Sequence, residues 1–294
     1  MTVVYSPAYE LSLPGHIWPT TKYRLVAGRI ASRVALAEPA AASWEQLALA
    51  HTGEYLQRLR DEQLTPAEIA TLELPWRAGM ADVFRLMAGG TLDAARAALS
   101  GGLAAHLGGG LHHAFANHGE GFCPVNDVAV AVRTLQGSSE IRRAAIVDLD
   151  VHHGNGTAMI FERDAGVFTF SMHQQHNYPL FKPRSDLDIG LADGSGDRAY
   201  LGRLAAALPQ VMASRPDLVV YLAGADPYEH DRLGGLALTK EGLRQRDRLV
   251  VAAARRARTP LVTVLAGGYA AEPADTVDIH VATIEVMLDA ANAA

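Results

Sequence analysis

AAIVDLDVHHGNG, residues 144–156, is the stretch from which the rest of the chain is read. Its first five residues, Ala144–Asp148, read as a strand, and Ala144–Val147 are apolar without alternation, which suits burial on both faces. The run passes directly into Asp148, Asp150, His152, His153 and Asn155, so a dense polar group stands where the strand gives out. Three more runs behave in the same way. Leu103–Leu107 leads into GGGLHHA (108–114), Leu218–Ala223 leads to Asp226, and Leu261–Leu265 leads into AGGY (266–269). Val167–Ser171 is a fifth strand candidate.

Between these runs lie helix signals. Ser43-Trp44-Glu45-Gln46 and Thr65-Pro66-Ala67-Glu68 both have the spacing of a capping box, and the second adds Pro at the first helical position. A long helix is predicted from Thr239 through Arg258, where Arg255, Arg256 and Arg258 oppose the dipole at its C-terminus. Strand-like and helix-like stretches in alternation predict the α/β class, a mostly parallel sheet sandwiched between helices. The segment before residue 100 reads as helices with irregular connections, with Pro14, Gly15, Pro19 and Pro39 at turns. No repeat, low-complexity tract or long linker interrupts the chain, so one domain over residues 1–294 is expected.

A chain of 294 residues, 49% of them hydrophobic, can bury a large core. The net charge of -6 argues against general affinity for nucleic acid, which needs clustered Lys and Arg. Cys123 is the single cysteine, so no internal disulfide can form, and a buried thiol in a reducing compartment is expected. The first residues lack the basic-then-apolar pattern of a signal peptide. No uncharged apolar run reaches the ~18 residues that span a bilayer. A cytoplasmic protein with no membrane partner is the resulting expectation.

In open parallel sheets ligands bind beyond the carboxyl ends of the strands, so the four polar clusters are expected on one rim. Asp148, Asp150 and His152 alternate and would face one side of an extended segment. Asp150 and His152, joined by Asp226 from another strand end, can hold one cation and leave a position open for water, as a catalytic zinc site requires. His112 and His113 follow three glycines and could be surface residues, ligands or acid–base groups beside a metal. Tyr269, after Gly267 and Gly268, could pack or could reach over the metal and stabilise an oxyanion.

Taken together, GGGLHHA (108–114), GFCPVND (121–127), VDLDVHHGNGT (147–157), GADPYEHDRLGGLALT (224–239) and LAGGY (265–269) resemble, in order, the motif series of the histone deacetylase superfamily. YELSLPGHIWPTTKY (9–23) and SDLDIGLADGSGD (185–197) are most similar to its class IV-like bacterial branch. The resemblance implies the arginase/deacetylase fold and a metal on Asp150, His152 and Asp226. That metal would be zinc, with iron(II) also accepted by such ligands, and a structural potassium near Asp148 is implied as well. His112 is then polarised by Asp148. His113 acts as the general base that later protonates the leaving amine, Tyr269 polarises the carbonyl, and Gly121 and Phe122 line the substrate tunnel. The implied substrate is an acylated lysine or a small acylated amine such as an acetylpolyamine.

One residue departs from the best-known members. Asn155 stands behind His113 where they carry a second Asp, and a neutral amide stabilises an imidazolium less than a carboxylate does. Asp231 is expected to orient the rim, Lys22 to face the inner end of the channel, and Tyr178 and His173 either to wall the tunnel or to pack. A binuclear arginase-like site would need further carboxylates where Gly154 and Tyr228 stand. An inactive binder of acyl-lysine is the other rival, and the retention of His112, His113 and Tyr269 speaks against it.

Overall fold

The computed structural model describes residues 1–293. Among them eight strands form one sheet: β1 (Thr2–Val4), β2 (Leu36–Ala37), β3 (Leu103–His106), β4 (Ala144–Asp148), β5 (Val167–Gln174), β6 (Leu187–Leu191), β7 (Leu218–Leu222) and β8 (Leu261–Val264). Every neighbouring pair is parallel, in the order β2-β1-β3-β8-β7-β4-β5-β6. The helices are α1 (Thr21–Ile30), α2 (Trp44–Leu47), α3 (Gly53–Arg60), α4 (Pro66–Leu72), α5 (Met80–Gly101), α6 (Asp127–Gly137), α7 (Asn155–Phe161), α8 (Asp197–Ala213), α9 (Lys240–Ala257) and α10 (Pro273–Asn292). None is long and apolar enough to cross a membrane.

The unalternated strands are unalternated because both faces are covered. In β7, Leu218, Val220 and Leu222 pack into one core with α5 and α6, while Val219 and Tyr221 pack into the other with α8 and α9. The same period-2 division splits β4, with Ala144 and Ile146 on the first side and Ala145 and Val147 on the second.

Strand order explains why scattered clusters meet. β3, β8, β7 and β4 are consecutive neighbours in the sheet. Their last residues are also level: His106 pairs with Val264, Val264 with Leu222, and Leu222 with Asp148. The four loops that follow therefore start at one height along one rim.

Two strands lie in the segment read as helices and connections. β1 and β2 have three and two residues, too short for a periodic signal, and they are strands because β3 offers a parallel edge to β1. The edge strand β6 was also missed: its LDIGL is half-exposed and interrupted by Asp188 and Gly190. It lengthens β5, whose His173 and Gln174 pair with Gly190 and Leu191, beyond the predicted end at Ser171. Ser43 and Thr65 form both halves of their capping boxes, although the helix after Ser43 is a single turn of four residues. Thr239 caps α9, which stops at Arg258 in a left-handed conformation.

Candidate active site

Beyond β4 the backbone does not stay extended. Asp150 N–H donates to Asp148 Oδ1 at 3.2 Å and His152 N–H donates to Asp150 Oδ1 at 3.0 Å, two successive Asx turns that curl the chain. The turns correct the simple picture of three side chains sharing one side. Asp148 turns to His112, at 2.6 Å from its Nδ1, while Asp150 and His152 face each other.

Asp150, His152 and Asp226 each offer a buried ligand atom, and these atoms lie within 4.8 Å of one another. His152 Nδ1 is 3.0 Å from Asp150 Oδ1 and 3.5 Å from Asp226 Oδ2. Asp226 Oδ1 accepts from Val151 N–H at 2.9 Å, but Oδ2 is buried without a hydrogen-bond partner among the described residues. Gly267 N–H donates to the far oxygen of Asp150 at 2.8 Å. Burial, then the neighbouring Asp150, pushes the Asp226 carboxyl up to about 7. Two acids and one imidazole buried together are short of positive charge, and the unpaired oxygen is where a cation would be held. The donor set fits a divalent metal.

Only glycine fits beside these ligands. A Cβ on Gly267 would stand 1.9 Å from Asp226 Oδ2 and 2.6 Å from Asp150 Oδ2, and one on Gly224 would stand 2.6 Å from Asp150 Oδ2.

The paired histidines come from the glycine loop after β3. Gly110 has φ +79° and its Cβ would meet Ala266 at 2.6 Å, so the loop turns against the end of β8. Buried Asp127 pins it by accepting from Gly110 N–H at 3.0 Å and Leu111 N–H at 2.7 Å. Behind Asp127, Thr91 donates to its carboxyl, and His106 links Thr91 to Tyr9.

The two rings then differ in their partners. Burial works against charge on His112, but Asp148 and Asp150 outweigh it and hold the imidazole up at about 9. His113 Nδ1 is 2.7 Å from Asn155 Oδ1, so the pairing expected from sequence is present. Burial, and then the nearby His112 and His152, hold His113 well below the ordinary histidine range. Asn155 Nδ2 donates in turn to Glu120 at 3.3 Å, and the Tyr178 hydroxyl donates to the same carboxylate at 2.8 Å. A carboxylate therefore stands behind His113 after all, one residue further out.

A cavity of about 400 Å³ opens over these groups, and His113, His152, Gly121, Phe122, Tyr178 and Tyr269 are in its wall. Phe122 is edge-on to Tyr269 at 6.1 Å and stacks on Trp18 at 6.3 Å, so the N-terminal segment supplies part of the wall. Asp231 accepts from Tyr269 N–H at 2.7 Å and from Leu233 and Gly234, which fixes the rim. Burial, then Asp150 and Asp226, keep the Tyr269 phenol well above its ordinary range.

Tyr178 lines the cavity, but His173 does not. It packs edge-on to His153 at 4.7 Å, away from the cleft. Lys22 lies behind the cavity wall, fully buried, with Nζ donating to Ala266 carbonyl at 2.7 Å, and burial lowers it to about 8. Cys123 is buried, and burial pushes its thiol well above the usual range. Three supporting residues were not singled out from sequence: Asp127, Glu120 and Arg246. Arg246 is fully buried on α9 and donates to the carbonyls of Leu149 and Gly224, one residue before Asp150 and two before Asp226. Arg246 stands three residues after Leu243 and four before Val250, on the buried stripe of α9, so its inward direction could have been read from helical spacing; Asp127 and Glu120 flank the GFCPVN stretch and could have been found there.

The level strand ends, the buried acid–imidazole cluster and the paired histidines define a parallel α/β protein with a polar centre in an aromatic-walled cavity. The family model described as histone deacetylase domain matches residues 19–284. The chain is 42% identical over 285 residues to an uncharacterized protein of Picosynechococcus, covering 95% of both chains. It is 31% identical over 290 residues to histone deacetylase 2 of Arabidopsis thaliana, covering 92% of this chain and 74% of that one. The crystal structure of the HDA15 HD domain superimposes with a TM-score of 0.78 at 24% identity, over 98% of this chain and 91% of that one, a likeness of fold. The chain belongs to the histone deacetylase family.

Proposed function

We propose that this protein is a metal-dependent deacetylase, one catalytic domain of the class IV-like kind. In this reading it removes acetyl or related acyl groups from lysine-like amines. The observation that carries the reading is the juxtaposition of His113, held by a neutral partner, with the Asp150–His152–Asp226 cluster under one cavity. Asp150, His152 and Asp226 would hold zinc or iron(II), which would supply Lewis acidity and make water a better nucleophile near neutral pH.

The chain's own residues do the rest. His113 is kept neutral by its surroundings, so it can accept a proton near neutral pH and later deliver it to the leaving amine. Asn155 holds the ring through Nδ1 and leaves Nε2 for that exchange. The Tyr269 phenol is kept protonated and donates to the acyl oxygen as negative charge develops there. His112, paired with Asp148, places a second imidazole beside the first, with ring centres 4.1 Å apart. Phe122, Tyr178 and Trp18 give an apolar sleeve for a methylene stem. Glu73 is also in the lining, and with the net charge of -6 this suits a small cationic amine, such as an acylated polyamine, as well as an acyl-lysine. A structural potassium beside Asp148 belongs to the same reading, as does a reducing, cytoplasmic setting for the lone buried thiol.

The test is metal content together with turnover of an acyl-lysine and acyl-polyamine series of increasing chain length. The reading expects about one ion in the cleft, turnover that falls with acyl length, and loss of both on Asp226→Ala. A cleft that binds zinc and turns over no acyl amide would make the protein a binder instead.

A further inference from the structure

We infer that His153, His173 and Asp188 form a second metal site, structural rather than catalytic, for a divalent ion of the zinc type. The three residues come from separate places: the loop after β4, strand β5 and edge strand β6. Register brings them together. Ser171 pairs with Asp188 and His173 with Gly190, so His173 lies diagonally across from Asp188, on the face that Ser171 shares. One ligand atom from each residue lies within 4.8 Å of the others.

The donors are oriented as ligands are. His173 Nδ1 is engaged at 3.0 Å by Ser171 Oγ, which leaves Nε2 free. Asp188 Oδ2 accepts from Ser185 N–H at 2.8 Å, which leaves Oδ1, at 3.2 Å from His153 Nε2. For His173 and Asp188 a partner thus sits on the non-coordinating atom, which is how metal sites fix ring tautomer and carboxylate direction. His153 is 1% exposed; its Nε2 faces Asp188, and only its Nδ1 has no partner among the described residues.

Two imidazoles and one carboxylate suit zinc, cobalt or nickel with water completing the shell. Asp188 keeps 30% of its side chain exposed, which gives an ion a way in from solvent. The nearby cation, Lys182, is tethered away on the carbonyls of Asn177 and Pro179. The site also has a use. His153 directly follows His152, so an ion here would clamp the loop carrying Asp150 and His152 to the outer strand of the sheet.

The experiment is elemental analysis of full-length protein equilibrated with zinc and freed of excess, alongside thermal melts with and without zinc. Wild type should hold about two ions per chain, and Asp188→Ala and His173→Gln about one. Asp226→Ala should also hold about one, and its melting temperature should still rise with zinc. Asp188→Asn keeps the shape of a half-exposed residue and covers the case in which His173→Gln fails to fold. A wild type holding one ion, with content unchanged by Asp188→Ala and Asp188→Asn, overturns the proposal. If the cleft itself bound nothing, Asp226→Ala would leave the count unchanged while Asp188→Ala still lowered it, so the two readings fail separately.

Discussion

Replacing Gly267 with alanine places one methyl group where the structure has no room for it. The new Cβ would lie 1.9 Å from Asp226 Oδ2 and 2.6 Å from Asp150 Oδ2, against an ordinary carbon–oxygen contact of about 3.4 Å. One carboxylate or the Gly267 backbone must therefore move by more than an ångström. The backbone is held by Gly267 N–H on Asp150 and by Ala225 N–H on the Gly267 carbonyl at 3.0 Å, so the carboxylates are the parts that give. Overpacking of this kind costs about 1–3 kcal/mol, and a misplacement of about 1 Å at a reacting centre costs about 10²-fold in rate. The assay is zinc affinity by competition with a chelator, with kcat/KM on an acyl-lysine amide measured at saturating metal. Gly28→Ala is the control, because its Cβ meets nothing within 4 Å on an exposed part of α1. That change should leave both quantities alone and raise stability by about 0.8–1 kcal/mol. Zinc affinity and turnover of Gly267→Ala within about threefold of wild type would refute the packing argument.

Other consequences follow from the site. Asn155→Asp puts a carboxyl 2.7 Å from His113 Nδ1, and the adjacent His112, held at about 9 against its burial by Asp148 and Asp150, shows the direction of the effect. His113 must be neutral to accept a proton, so the acidic limb of kcat/KM should move to higher pH and activity at pH 7 should fall; an unmoved limb would count against His113 as the base. Tyr269→Phe should lower kcat about 10²–10³-fold with metal content intact, as for loss of one oxyanion donor, and a loss under tenfold would remove the tyrosine from the chemistry. Asp127→Ala leaves the buried Gly110 and Leu111 N–H groups without an acceptor, at about 1–3 kcal/mol each. Its melting temperature should drop clearly, and a melt unchanged from wild type would mean that the glycine loop is held by something else.

The strands that carry the site were legible because burial on both faces leaves an unbroken apolar run, and β4 begins and ends where its sequence suggests. Strands β1, β2 and β6 were not, because their state is set by the neighbour they pair with and not by their own pattern. The gathering of Asp150, His152 and Asp226 could be read from their places at strand ends, since a parallel sheet delivers such ends to one rim. The direction each side chain takes could not. It depends on the Asx turns after β4, which only the hydrogen bonds reveal, and on sites where a methyl group is excluded by atoms distant in the chain, such as Asp226 and Asp150 beside Gly267. The link from Asn155 to Glu120 was hidden for the same reason: the two are 35 residues apart and meet only in three dimensions.

The matched heights of β3, β8, β7 and β4 also predict where the chain tolerates change of length. Each strand residue advances its successor by about 3.3 Å, so two residues inserted within β7 would lift Asp226 by about 6.6 Å. That exceeds the 4.8 Å that encloses the three ligand atoms. The same insertion at the far ends of the strands, in the connections that enter them from the helices, leaves every loop at its level. Lengthening should therefore be borne at the amino ends of these four strands and nowhere along them.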